Sequence, residues 1–282
     1  MTLHDLEHST SQLANTEKMP VLFLGHGSPM NAIEENMFVQ GFRKVAQEIP
    51  QPTAILCISA HWYTQGTKVS SIANPPTIHD FYGFPKELFE VEYPAPGSPQ
   101  LAKETVELLR PAAVEEDDNW GLDHGAWSVI RHIYPQATIP VIQMSIDYTK
   151  PPAYHYDLAS RLYSLRHKGV LIIGSGNIVH NLRMIDWQNI NTVGAGWDWA
   201  IEARHLTNQW MLEENFDALI HYNRQSTALQ YAIPTPDHYL PLLYTLGLKD
   251  RAEDLKLFND ELIAGSLSMT SVKIGKNYKT PS

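Results

Sequence analysis

Four short apolar runs constrain this chain more than any other feature. They are PVLFLG (20–25), TAILCISA (53–60), IPVIQMSID (139–147) and VLIIGSG (170–176). All are too short for ordinary helices and rich in Val, Ile and Leu. PVLFLG and TAILCISA show no polar alternation, so they read as strands buried on both faces. Helical stretches separate the runs. AIEENMFVQGFRKVAQEI (32–49) reads as a helix with Asn31 as a candidate cap. SPQLAKETVELLR (98–110) has Ser98 as a cap and Pro99 at the first helical position. AYHYDLASRLYSLRHKG stops at Gly169, residues 197–222 favour helix, and DHYLPLLYTLG reads as a short helix with an internal proline. TKVSSIA and SLSMTSVKIG add further strands. Strands alternating with helices predict an α/β fold: one central, mostly parallel or mixed sheet flanked by helices.

There is no internal repeat and no linker, so residues 19–282 are expected to form one domain. Residues 1–18 are polar and aperiodic and read as a mobile extension. Two segments, 74–99 and EEDDNWGLDHGAW (115–127), carry no regular pattern. Long loops in a compact domain often carry function.

The net charge of −10 argues against a nucleic-acid or anionic-membrane partner. No apolar stretch approaches the roughly 20 residues of a membrane span. The N-terminus has no basic-then-apolar signal pattern. The single cysteine, Cys57, excludes a disulfide within the chain and reads as a small buried hydrophobe. These features fit the cytoplasm. No sequence feature specifies an oligomeric state.

The chain holds 13 histidines. His4 and His8 lie in the polar extension. His132, His155, His167, His205 and His221 lie in helix-like stretches and read as surface or packing residues. The other six are placed differently. His26, His61 and His180 each follow an apolar strand, His79 and His124 fall in the two long loops, and His238 stands where a short helix begins. Ligands of open α/β sheets bind beyond the carboxyl ends of the strands. Imidazole is the commonest metal-ligating side chain. Three strands delivering histidines to one end therefore suggest a metal site there. The alternative is that each histidine simply satisfies a strand end.

GHGSP (25–29) has two other readings. It lacks the lysine and spacing of a phosphate-binding loop, and GSGN (174–177) lacks the third glycine of a dinucleotide fingerprint. Ser28 is followed by proline and does not fit the nucleophile elbow. Gly25 and Gly27 read better as clearance around His26.

The chain resembles the class III extradiol ring-cleaving dioxygenases, and within them the 4,5-DOPA dioxygenase extradiol-like group. The resemblance runs from Met19 to about Gly275. It is carried by LFLGHGSPMN, SAHWYTQGT, PPTIHDFYGFP, YPAPGSP, GLDHGAWSVI, GSGNIVHNL and TPDHYLPLLY.

The resemblance implies a metal-dependent enzyme that opens the ring of a catechol such as DOPA with O2. His26, His61 and His238 match metal-ligand positions. His180 matches the acid/base position of the ring-cleaving enzymes and a further ligand position in the closer group. His124 matches the residue expected to hydrogen-bond the bound catechol or oxygen. The broader family completes its site with a carboxylate, whereas here the matching segment offers His238 with Asp237 beside it. One divalent ion is implied, and a set of imidazoles suits Zn(II) as well as Fe(II). Zinc would point instead to a hydrolase or lyase on the same scaffold, or to a non-catalytic metal-binding protein. Trp62, Tyr63, Phe81, Tyr82 and Phe84 are candidates for an aromatic pocket or for core packing. Trp62, His79 and Asp80 are candidate substrate contacts.

Overall fold

A computed structural model describes residues 16–276. The strands are β1 (Val21–Gly25), β2 (Ala54–Thr64), β3 (Thr67–Ser70), β4 (Val114–Asp117), β5 (Val141–Asp147), β6 (Val170–Gly176) and β7 (Asp254–Phe258). A two-stranded ladder of β8 (Leu262–Ile263) and β9 (Leu267–Ser268) follows, then β10 (Ser271–Gly275). The main sheet has the order β4-β3-β5-β2-β6-β1-β10-β7. Its centre, β5-β2-β6-β1, is parallel, and β10 and β7 close one side antiparallel. This is the mixed α/β sheet expected from the alternation of runs.

The period of two along each strand sends side chains to opposite faces. Val21 and Phe23 of β1 join one apolar cluster, whereas Leu22 and Leu24 join the other. Both clusters carry helices, which is why β1 reads as a continuous apolar run. Helices α1 (Met37–Gln47), α2 (Lys86–Phe89), α3 (Pro99–Leu108), α4 (His124–Ile133) and α5 (Pro152–Ala159) precede β6. Helices α6 (Asp198–Leu212), α7 (Phe216–Ile220), α8 (Thr227–Ala232) and α9 (Leu240–Gly247) follow it. Cys57 is buried in the second cluster, where burial and the Asp123 charge push its thiol well up. No helix among the described residues is long and apolar enough to cross a membrane.

Several expectations need correction. The helix expected over 32–49 begins only at Met37, and its cap is Asn36, which accepts from the Phe38 and Val39 N–H groups at 3.0 and 3.1 Å. Asn31 does not cap it: its side-chain oxygen accepts from Asn36 Nδ2 at 2.8 Å, while its NH2 group donates to the His26 carbonyl at 2.9 Å. The helix-prone stretch 197–222 is two helices, broken where Glu214 takes φ +56°. Pro241 lies in the first turn of α9, where a missing N–H costs nothing, and is not internal. The 266–275 run is interrupted between β9 and β10. The segment 115–127 contains most of β4 and the start of α4. Strand β7 was not foreseen because its sequence, DLKLF, is a half-exposed edge. Residues 1–15, including His4 and His8, lie outside the described residues. Thr16 and Lys18, expected to belong to a mobile extension, are tied down. The Thr16 N–H donates to the His167 carbonyl, and Lys18 stands 3.0 Å from Glu253.

That contact belongs to a buried ion pair. Arg166 and Glu253 have side chains 0% and 1% exposed. The guanidinium also donates to the Met19 and Leu248 carbonyls, so its donors are used. Removing the acid alone leaves a buried cation, and Glu253→Ala is expected to cost about 3–5 kcal/mol in urea unfolding. Burial works to raise the Glu253 carboxyl, but Arg166 and the Asp250 N–H hold it below the usual range. Its contribution is complete above the unfolded-state value and is lost as pH falls through the folded value. The wild-type and Glu253→Ala stability curves are therefore expected to converge as the pH is lowered.

Candidate metal centre

Five histidines meet beyond the carboxyl ends of β1 and β6, beside the carboxyl-terminal part of β2. His26 leaves β1 directly, and its N–H donates to the Gly176 carbonyl at the end of β6. Gly27 has φ +63°, and a Cβ there would strike Met269 Sδ at 2.4 Å, so glycine is required for the turn. The Ser28 hydroxyl accepts from the Met30 N–H as the cap of a short 3-10 turn.

His61 was expected just past a strand and instead lies within β2. Pairing with β5 lapses between Ile58 and Tyr63, a bulge that re-aims the side chains it contains. His124 is the first residue of α4, whose cap, Asp123, accepts from the Ala126 N–H. Asp123 is fully buried and also takes hydrogen bonds from Ser59 and Gln143, both at 2.7 Å. Burial and the Asp80 charge push its carboxyl up.

His180 sits four positions beyond β6, and its N–H donates to the Ala232 carbonyl. His238 precedes α9, and its own carbonyl accepts from the Asn177 N–H at 2.9 Å. A Cβ on Gly176 would lie 2.1 Å from that carbonyl oxygen. The glycines of GSGN thus admit the 238 segment against the sheet, which is a different use from holding phosphate.

The hydrogen-bond network assigns the ring protons. The Ser175 hydroxyl donates to the Gly125 carbonyl, so its oxygen accepts from His26 Nδ1, 3.0 Å away. Asp80 Oδ2 stands 3.4 Å from His61 Nδ1. Asp80 Oδ1 accepts from the His124 N–H at 2.9 Å and lies 2.9 Å from His124 Nδ1, out of line for a full hydrogen bond. Asp237 Oδ2 contacts His238 Nδ1. Four of the five rings therefore turn Nδ1 toward an oxygen. Burial first, then the neighbouring imidazoles, pushes His26 and His61 well down, so both are neutral. A neutral ring has one proton; the Ser175 hydroxyl places that of His26 on Nδ1, and the Asp80 carboxylate 3.4 Å from His61 Nδ1 favours the same tautomer there. His26 Nε2 and His61 Nε2 then face each other at 3.3 Å with two lone pairs. A cation between such nitrogens turns that repulsion into attraction.

Ring spacing separates the five. Imidazoles sharing one ion through bonds of about 2.0–2.1 Å have ring centroids roughly 4.5–5.3 Å apart. His26, His61 and His238 form a triangle of 5.0, 5.3 and 5.0 Å. His180 instead stacks on His238 at 3.6 Å and 6°. His124 lies 3.8 Å from His61 and 5.8 Å from His26. A nitrogen of His124 nonetheless comes within 4.8 Å of nitrogens of His26 and His61.

The candidate substrate contacts have other partners. Trp62 is 3% exposed and stacks on Trp120 at 5.5 Å and 4°. His79 Nε2 stands 2.9 Å from the Val91 carbonyl, and the ring packs near Phe81, Phe89 and Trp127. Asp80 is engaged by two histidines. Of the proposed aromatic wall, Phe81 is the residue beside the cluster, 5.5 Å from His124, whereas Tyr82 is 93% exposed. A cavity of about 780 Å³ lined by Arg43, Tyr93, Arg131 and Tyr134 includes none of the five clustered histidines. Ser175 and Asn31 were missed as supports. Ser175 lies within the quoted GSGN, yet only the β1–β6 register shows that it faces His26.

Residues 20–269 match the family described as the catalytic LigB subunit of aromatic ring-opening dioxygenase. The chain is 44% identical over 270 residues to the 4,5-DOPA dioxygenase extradiol of Escherichia coli K12, covering 93% of this chain and 97% of that one. It is 34% identical over 261 residues to the 4,5-DOPA dioxygenase extradiol of Beta vulgaris, covering 89% and 94%. It also resembles the crystal structure of an uncharacterized protein of Escherichia coli K12. The TM-score is 0.77 at 40% identity, over 91% of this chain and all of that one.

Proposed function

The chain belongs to the LigB family of aromatic ring-opening dioxygenases, and from that premise we propose that its five histidines form the centre that opens a catechol ring beside its two hydroxyls. The observation that carries this reading is the approach of His26 Nε2 and His61 Nε2 to 3.3 Å within a cluster of five histidines. His26, His61 and His238 hold one divalent ion, and His124 and His180 stand over it as proton-handling residues. The stacking of His180 on His238 favours that role over a fourth ligand place.

When bound, Fe(II) supplies a meeting point for a catechol and O2 and the redox chemistry that Zn(II) lacks. The chain's own residues handle protons and position. Burial first, then the His238 imidazole, pushes His180 down to about 3, so it meets the substrate neutral with a free lone pair. An anionic catecholate beside the ring raises its proton affinity, and His180 takes a phenolic proton that it later returns. His124 turns Nδ1 to Asp80 and so presents Nε2 toward the site, where the ring can face developing charge on oxygen. Phe81 offers an apolar edge to the aromatic ring. A 4,5-DOPA-type catechol is the substrate that the relatives' names support, and the lone buried cysteine fits a cytoplasmic setting.

The test is anaerobic reconstitution of metal-free protein with Fe(II), and separately with Zn(II), followed by DOPA and air. Oxygen uptake and a yellow ring-opened product are expected with iron alone. Uptake with neither metal, across a panel of catechols, would exclude the reading and leave a zinc-dependent hydrolase or lyase, or a metal-binding protein.

A further inference from the structure

An imidazole ligand, unlike a carboxylate, brings no negative charge to a divalent ion, and the proposed triangle is made of imidazoles alone. Two carboxylates nevertheless stand directly behind the cluster. Asp237 touches Nδ1 of His238. Asp80 reaches two rings at once, with Oδ2 3.4 Å from His61 Nδ1 and Oδ1 2.9 Å from both the N–H and Nδ1 of His124. The Asp80 side chain is 18% exposed, and that of Asp237 is 20%.

The loop bearing Asp80 is docked by its backbone. The Ile78 N–H donates to the Leu122 carbonyl at 2.7 Å, and the Leu122 N–H returns a bond to the Pro76 carbonyl at 2.8 Å. The Trp127 indole donates to the Ile78 carbonyl at 2.9 Å. Residues 76–80 are thereby fixed to the segment that launches α4. A carboxylate held this way sets the orientation of a ring, keeps its proton on Nδ1 and makes Nε2 a stronger donor.

We propose that Asp80 and Asp237 supply, one residue behind the ligands, the negative charge that a carboxylate ligand would bring to the ion, with Asp80 the positioning residue that orients His61 and His124 together. This inference rests on the reading that the cluster holds an ion. It replaces the substrate-contact role for Asp80. It also explains how a chain can lose a ligating carboxylate and still bind a dication, because the charge is moved outward and shared among more rings.

The experiment measures Fe(II) and Zn(II) dissociation constants anaerobically, by competition with a chromophoric chelator, for wild type, Asp80→Asn and Asp237→Asn. Each neutral variant is expected to bind about 10- to 100-fold more weakly, with the thermal midpoint of the metal-free protein close to wild type. Imidazole nitrogen NMR of the metal-free protein supplies a second readout. Asp80→Asn is expected to shift the protons of His61 and His124 from Nδ1 toward Nε2, which loss of packing alone would not do. Asp80→Glu keeps the charge and is expected to bind metal more tightly than Asp80→Asn. It also carries the test if Asp80→Asn does not fold, when its affinity should stay within about tenfold of wild type. Wild-type affinity and unchanged tautomers in Asp80→Asn would overturn the inference and leave the ring-opening reading standing. So would an Asp80→Glu variant as weak as Asp80→Asn. A wild type that binds neither metal defeats the ring-opening reading itself, whatever the variants do.

Discussion

His26→Ala is expected to lose metal more completely than any change behind the ligands. Outer partners of a metal-bound histidine cost about 10- to 100-fold in affinity, and removal of the ring itself should exceed about 100-fold. The reason is geometric. His26 is 1% exposed, leaves a strand without an intervening loop, and has Nδ1 fixed by Ser175. It also faces two other rings of the triangle, at 5.0 and 5.3 Å. The readouts are metal content after dialysis, oxygen uptake with a catechol, and the thermal midpoint with and without metal. An ion that binds only the folded state raises stability by mass action. Metal should therefore raise the midpoint of wild type and leave that of His26→Ala unchanged. An equal metal-induced rise in both proteins would remove His26 from the ligand set.

The parts of this site legible in the sequence are those placed by strands. His26 and His180 follow apolar runs whose two-sided burial makes them continuous, and both runs end at the carboxyl edge of the sheet. Cys57 was readable for the same reason. His61 was legible as a site residue, but the bulge that aims it was not. A bulge is a mismatch between β2 and β5, which lie more than 70 positions apart, and it leaves no mark on either segment alone. Asp80 was legible only as a polar residue in a long loop. Its partners, His61 and His124, lie 19 positions upstream and 44 positions downstream of it, and they meet only after residues 76–80 dock beside α4. The failed helix start at Ala32 has a related cause. Asn31 has the chemistry of a cap, but its side-chain oxygen accepts from Asn36 and its NH2 group serves the His26 carbonyl, so other partners override local preference.

His180→Ala is expected to separate a proton-handling residue from a ligand, which motif matching alone left open. If His180 takes and returns a proton, its loss should lower turnover by about 100- to 10,000-fold with metal content unchanged. If it were a ligand, metal content would fall together with turnover. The ring geometry supports the first outcome. A ring lying parallel to His238 at 3.6 Å is too close for both to fan around one ion, whereas it is well placed to face a substrate oxygen bound beside His238. Single-turnover measurements with iron-loaded protein, read beside metal analysis of the same sample, decide the matter. Retained metal with near-wild-type ring opening would remove the acid/base role, and parallel loss of both would return His180 to the ligand set.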